Sequence, residues 1–190
     1  MTLFKNKYRI ETTRLKHWDY SSDGEYFVTI CTKNRMEYFG EIRNGIMGLN
    51  EMGNAAAICW QNIPSHFPFT ELGAWVVMPN HVHGVIIINN VNPNPRKDAI
   101  NRVFTGNGNG GITGKYNPMG KNTLGEIIRW LKGQTTFEIR KNINLGFGWI
   151  SRFYDHIIFG EKESEEIYNY ILNNPWKWEQ DRNKPENLWM

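Results

Sequence analysis

Short runs of apolar residues recur along most of this chain, each bounded by turn formers, and their spacing predicts the elements. Residues 26–32 (Tyr-Phe-Val-Thr-Ile-Cys-Thr) are β-branched and aromatic, which predicts a buried strand. Residues 38–42 and 46–49 flank Arg43-Asn44-Gly45, and the Asn-Gly pair predicts a hairpin turn. Leu49, Met52, Ala56, Cys59, Trp60 and Ile63 recur at helical spacing, with Pro64 expected to stop that helix. Residues 71–78 and 81–88 predict two further strands, between which Pro79-Asn80 must turn or bulge the chain.

The pattern then lapses. Residues 89–122 are rich in Asn, Gly and Pro and show little apolar periodicity, which predicts a flexible insertion. Beyond it, Thr123 and Glu126 have the spacing of a capping box. Leu124, Ile127, Ile128 and Leu131 then form an apolar helical stripe, with Arg129, Lys132, Thr136 and Arg140 along the opposite side. Residues 149–154 and 156–159 read as strands, and 162–174 as a last helix stopped by Pro175. Strands interleaved with few helices predict an α+β fold, an antiparallel sheet with helices packed on it, in a ferredoxin-like split βαβ arrangement. At 190 residues the chain is expected to form a single domain over 1–190, interrupted by the 89–122 insertion.

Composition narrows the function classes. Hydrophobic content of 40% and charged content of 22% are those of a globular protein, and no apolar run is long enough to span a bilayer. The first residues lack the apolar core of a secretory signal, and the two cysteines are too few for a disulfide framework or a cysteine metal site. A cytoplasmic setting with no membrane partner is the expectation. The net charge is only +3, but bases cluster in residues 1–16 and again in 121–152. Two basic segments in a nearly neutral chain suit a polyanion such as nucleic acid.

Two constellations carry candidate chemistry. In Met78-Pro79-Asn80-His81-Val82-His83-Gly84, the two histidines lie two apart on a predicted strand and project from one face, while Val82 points to the other. Their imidazoles can converge on one cation, and Gly84 removes side-chain bulk, which would ease close approach of a backbone or ligand. An exposed strand bearing two ordinary histidines is the plainer alternative, and a third ligand is needed for a metal centre. On the last helix Tyr170 and Asn174 are four apart and share a face, although Ile167, Tyr170, Ile171 and Asn174 also fit a core stripe. A phenol with a pKa near 10 is a poor nucleophile unless activated, and a divalent ion can do that by polarising the group attacked. Two imidazoles and an amide oxygen leave open positions and suit Mg²⁺ or Mn²⁺ better than a closed structural zinc site, with zinc as the alternative. His156 competes as third ligand, and Tyr168 and Tyr154 as nucleophile. Gly106-Asn107-Gly108-Asn109-Gly110-Gly111 fits a dinucleotide fingerprint literally but lacks a βαβ unit around it, so no cofactor-binding loop is assigned.

These motifs resemble a known family. The segment 78–84 is similar to the His-hydrophobe-His signature of single-tyrosine HUH transposases. Arg152-Phe153-Tyr154-Asp155-His156 and Tyr170-Ile171-Leu172-Asn173-Asn174-Pro175 resemble downstream motifs of their REP-associated tyrosine transposase (RAYT) branch, and the likeness runs from Tyr26 to Trp178. The resemblance implies a ferredoxin-like palm in which His81, His83 and Asn174 hold a divalent metal ion (Mg²⁺ or Mn²⁺) and Tyr170 is the catalytic nucleophile. It also implies a metal-dependent DNA nuclease and transposase that cleaves single-stranded DNA, leaves a 5′-phosphotyrosine and a free 3′-hydroxyl, and rejoins the strand elsewhere. The expected partner is single-stranded or hairpin DNA, with the protein a monomer or a homodimer. Arg129, Lys132, Arg140, Arg152 and His156 are the candidates for DNA contact, and Trp130 or Tyr116 for base stacking. A silent hairpin-binding protein that has lost recombination, and a hydrolase that uses water instead of Tyr170, are the alternatives.

Overall fold

A computed structural model describes residues 15, 18–90, 120–181, 183 and 184. The basic stretch 1–14, Tyr116, the glycine-rich run 106–111 and most of the 89–122 insertion lie outside the described residues.

Four strands form one antiparallel sheet: β1 (Gly24–Cys31), β4 (Thr70–Met78), β5 (His81–Ile88) and β6 (Tyr154–Ile158), in the spatial order β4-β5-β1-β6. Between β1 and β4 come a small hairpin, β2 (Gly40–Arg43) and β3 (Ile46–Leu49), then α1 (Glu51–Gln61) and α2 (Ile63–His66). Helix α3 (Leu124–Asn142) joins β5 to β6, and α4 (Glu161–Asn173) follows β6. With the four sheet strands counted along the chain, the order is second, third, first, fourth, each connected through a helix or a tight turn. That is the ferredoxin-like arrangement expected from the sequence.

Strand alternation divides the core in two. On one face Tyr26, Val28, Ile30, Val82 and Ile86 pack with Trp60 of α1 and Ile127, Ile128 and Leu131 of α3. The opposite face carries a smaller cluster of Phe27, Val85, Ile158 and Ile171, the last of these from α4. Helix α4 therefore lies over the sheet face that is not covered by α1 and α3, held by few fully buried side chains.

Local signals explain most element ends. Asn44 (φ 52°) and Gly45 (φ 74°) both sit in the left-handed region that a two-residue hairpin needs. The N-cap Thr123 Oγ1 accepts from the Glu126 backbone N–H at 3.3 Å, while the Glu126 carboxylate accepts from the N–H of Asn122 at 2.6 Å, one residue before the cap. Helix α1 ends at Gln61, ahead of Pro64 as expected, and Pro64 itself sits in the first turn of α2, where a missing N–H costs nothing. Of residues 149–154, by contrast, only Tyr154 lies in a strand. Trp149 makes one isolated bridge to Thr32, and the ladder opposite β1 begins only at Tyr154. The intervening carbonyls of Ile150 and Arg152 turn instead to the Lys132 ammonium, at 3.0 and 2.8 Å. Among the described residues no helix is long and apolar enough to cross a membrane.

Candidate metal and phenol centre

Antiparallel pairing of β5 with β1 sets His83 opposite Thr29 and His81 opposite Cys31. Both imidazoles are fully buried on the α4 side of the sheet, with ring centroids 4.2 Å apart, while Val82 between them enters the other core. His83 stacks on Phe27, and its Nδ1 is 2.8 Å from Thr29 Oγ1. The other ring nitrogen, Nε2, faces α4.

The ring of His81 is fixed by its neighbour. Asn80 Nδ2 donates to the carbonyls of Arg35 at 3.1 Å and Asn183 at 2.8 Å, so Asn80 Oδ1 is the acceptor left for His81 Nδ1, 2.7 Å away. In neutral His81 this puts the proton on Nδ1 and the lone pair on Nε2. An orienting partner of this kind is what metal-ligating histidines ordinarily have. The Pro79-Asn80 turn therefore does more than reverse the chain.

A third ligating group arrives from a segment the sequence did not single out. After α4 a 3-10 turn, Pro175–Gln180, leads to the buried Asp181. Its Oδ1 accepts from the Asn183 N–H at 2.6 Å, and its Oδ2 is 3.8 Å from His81 Nε2. One ligand atom from each of His81, His83 and Asp181 lies within 4.8 Å of the others. Arg35 donates to Asn183 Oδ1 at 2.5 Å, which pins the Asp181–Asn183 turn against the end of β1. No periodicity or spacing links Asp181 to the histidines, so only the fold reveals it.

Helix α4 brings the phenol. Tyr170 Oη is 3.5 Å from His83 Nε2, and its ring meets Phe27 edge-on. The residue is 37% exposed, so it lies at the surface of the cluster and not within the core. Asn174, at the helix end, is buried, and its Oδ1 has no hydrogen-bond partner among the described residues. Tyr168 is half-exposed and two positions away on the helix, whereas Tyr154 meets Phe27 from the β6 side. Two imidazole nitrogens and one carboxylate, all buried and mutually close, make a donor set that fits a divalent ion.

Other candidates prove to have structural partners. His156 Nε2 is 2.7 Å from Glu163 Oε1, and Glu163 Oε2 accepts from the Phe159 N–H, so His156 fastens the start of α4 to β6. The Phe159 N–H and His156 together hold the Glu163 carboxyl below its usual value. Lys132 spends its ammonium on loop carbonyls, and Arg140 Nε donates to the Phe147 carbonyl. Arg129, 4.0 Å from Glu126, and Arg152 reach the surface. Trp130 is not an open stacking platform, since its ring lies on His66 with centroids 4.5 Å apart. Nor does Gly84 serve the site: a Cβ there would come within 2.3 Å of the Trp60 ring, so the missing side chain admits α1 to the sheet.

No family model matches the chain. An uncharacterized protein of Haemophilus influenzae is 41% identical over 172 residues, spanning 89% of this chain and 89% of that protein. The chain belongs to that protein's family. Among solved structures, a REP-associated tyrosine transposase bound to a REP hairpin aligns over 91% of this chain and 77% of its own, at a TM-score of 0.57 and 17% identity. This is the REP-associated tyrosine transposase fold. A transposase candidate from Deinococcus radiodurans aligns over 85% of this chain and 97% of its own at 15% identity, with a TM-score of 0.46. The transposase fold and the three motifs thus agree, and on that fold the histidine strand and the tyrosine helix meet.

Proposed function

We propose that this chain is a transposase-type single-strand DNA endonuclease and strand-transferase, with Tyr170 as nucleophile and single-stranded or hairpin DNA as substrate. The observation that carries this reading is the 3.5 Å approach of an exposed helix-borne phenol to a buried strand-borne histidine pair. A core tyrosine would not be 37% exposed with its hydroxyl turned toward a buried imidazole pair.

In the proposed reaction the Tyr170 oxygen forms a bond to a DNA phosphorus, and the bond from that phosphorus to the 3′ oxygen breaks. The phenol loses its proton, the departing 3′ oxygen gains one, and a 5′-phosphotyrosine remains on α4. A 3′-hydroxyl from another strand then attacks the same phosphorus, restoring a phosphodiester and the free phenol. A divalent ion, Mg²⁺ or Mn²⁺, bound by His81 and His83 would polarise the scissile phosphate and offset developing charge. Asn174 and Asp181 are the candidates for its third protein ligand. Phe27 touches both the His83 ring and the Tyr170 ring, so it would help to set how the hydroxyl approaches a phosphate held there. Arg129 and Arg152, both exposed, would contact the backbone of the DNA.

The test uses the full chain with hairpin-bearing single-stranded DNA and Mn²⁺, read as a covalent adduct that survives denaturing electrophoresis. Tyr170→Phe should abolish the adduct while DNA affinity stays within about twofold, because only the attacking oxygen is lost. An adduct at normal yield in that variant removes Tyr170 from the mechanism, and turnover without any adduct favours a water nucleophile.

A further inference from the structure

We infer that Asp181, rather than Asn174, is the third protein ligand of the cation, and that Arg35, Asn80 and Asn183 form the clamp that delivers its carboxylate. This rests on the cation reading proposed above and names the donor which that reading leaves open. Asp181 is 8% exposed and sits beside two imidazoles that are 0% exposed. A buried carboxylate is costly unless positive charge and hydrogen bonds meet it. One oxygen is met by the Asn183 N–H. The other lies 3.8 Å from His81 Nε2, and one ligand atom from each of Asp181, His81 and His83 lies within 4.8 Å of the others. Two donors sharing one small divalent ion at about 2.1 Å each stand about 3–4 Å apart, so the observed gap is of the right size.

The clamp explains how a residue beyond the tyrosine helix comes to be so placed. Asn80 donates to the Asn183 carbonyl through one amide edge and accepts from His81 Nδ1 through the other. A single side chain therefore orients His81 and anchors the turn that carries Asp181. Arg35 adds a second anchor at Asn183 Oδ1, and its own carbonyl accepts from Asn80. Asn174 buries an oxygen with no partner among the described residues, so it competes with Asp181, and charge decides between them. Two neutral imidazoles and a carboxylate present a net negative, oxygen-bearing set to a hard cation, whereas an amide contributes only a dipole.

Binding of Mn²⁺ to the full chain, without DNA, tests this by the fall in the electron paramagnetic resonance signal of the free ion. The parent should bind, and His81→Ala should not. Asp181→Asn, close in shape, should weaken binding by roughly tenfold or more, whereas Asn174→Ala should change it by less than about twofold. Asp181→Cys should shift preference from Mn²⁺ towards Cd²⁺, a result that a merely structural role for Asp181 does not produce. If the parent binds and His81→Ala does not, yet Asp181→Asn binds normally or Asn174→Ala shows the larger loss, the third-ligand assignment is overturned. If the parent binds no Mn²⁺, the cation reading itself fails and Asp181 is simply an ion-pair partner of His81.

Discussion

Asn80 is the side chain on which most of the site's geometry converges, and replacing it with alanine should be costly well beyond its size. Asn80→Ala removes two donors and one acceptor from a residue that is 0% exposed. It strands the carbonyls of Arg35 and Asn183, which lie 3.1 and 2.8 Å from Nδ2, and the His81 Nδ1 proton, 2.7 Å from Oδ1. Each stranded buried group costs about 1–3 kcal/mol, and a carbonyl that keeps a second lone pair paired falls at the low end. Admission of a water into the space left by the amide recovers part of the loss, which leaves a net of about 2–4 kcal/mol. For a chain of this size that corresponds to a fall in Tm of about 5–15 °C. Equilibrium urea unfolding and a thermal scan, both in chelator so that no cation contributes, give the number directly. Asn80→Asp separates the two edges of the amide, since it keeps an acceptor for His81 but turns an anion toward two carbonyls. It should be no more stable than the alanine variant at neutral pH. A loss below about 0.5 kcal/mol for Asn80→Ala would refute the reasoning, because surface substitutions already fall in that range.

Two further outcomes follow from packing and charge. Gly84→Ala sets a methyl 2.3 Å from the Trp60 ring and 2.8 Å from Trp75 Cβ, so it should destabilise the fold by about 1–3 kcal/mol in urea unfolding; an unchanged midpoint would mean that α1 has room to withdraw. Glu163 has its carboxyl held below the ordinary value of 4.5 by the Phe159 N–H and by His156, so the anion is the form the fold favours. The stability this contributes is present above pH 4.5 and is lost as the pH falls through the lowered value. The unfolding midpoint of Glu163→Gln should therefore lie below that of the parent near neutrality and converge on it in acid. A gap that widens in acid would reverse the assignment.

Much of the architecture was legible because its signals are local. A period of two marks β5 and puts His81 and His83 on one face whatever surrounds them, and a period near 3.6 does the same for Tyr170 and Asn174 on α4. The Asn44-Gly45 turn and the Thr123 cap are likewise decided within a few residues. The readings that changed are those in which a distant group competes. The strand expected at 149–154 yields to Lys132, whose ammonium takes its carbonyls, and the space beside Gly84 belongs to Trp60 and not to a ligand. Helix α1 ends at Gln61, ahead of Pro64 as expected, but the short helix that restarts with Pro64 in its first turn was not foreseen by the spacing.

The candidate site divides along the same line. The chemical groups and their pairwise facing are written in the chain: two imidazoles at one strand spacing, a phenol and an amide at one helical spacing. Tertiary structure alone decided that these two surfaces meet, since β5 and α4 are brought together by the order of strands in the sheet and by the small cluster around Phe27 and Ile171. It alone brought Asp181 to them, because Arg35, Asn80 and Asn183 act across separations at which no sequence period survives. Backbone geometry repeats over a few residues and can be read from the order of side chains. Contacts between elements depend on how the chain closes on itself, which no short stretch of it records.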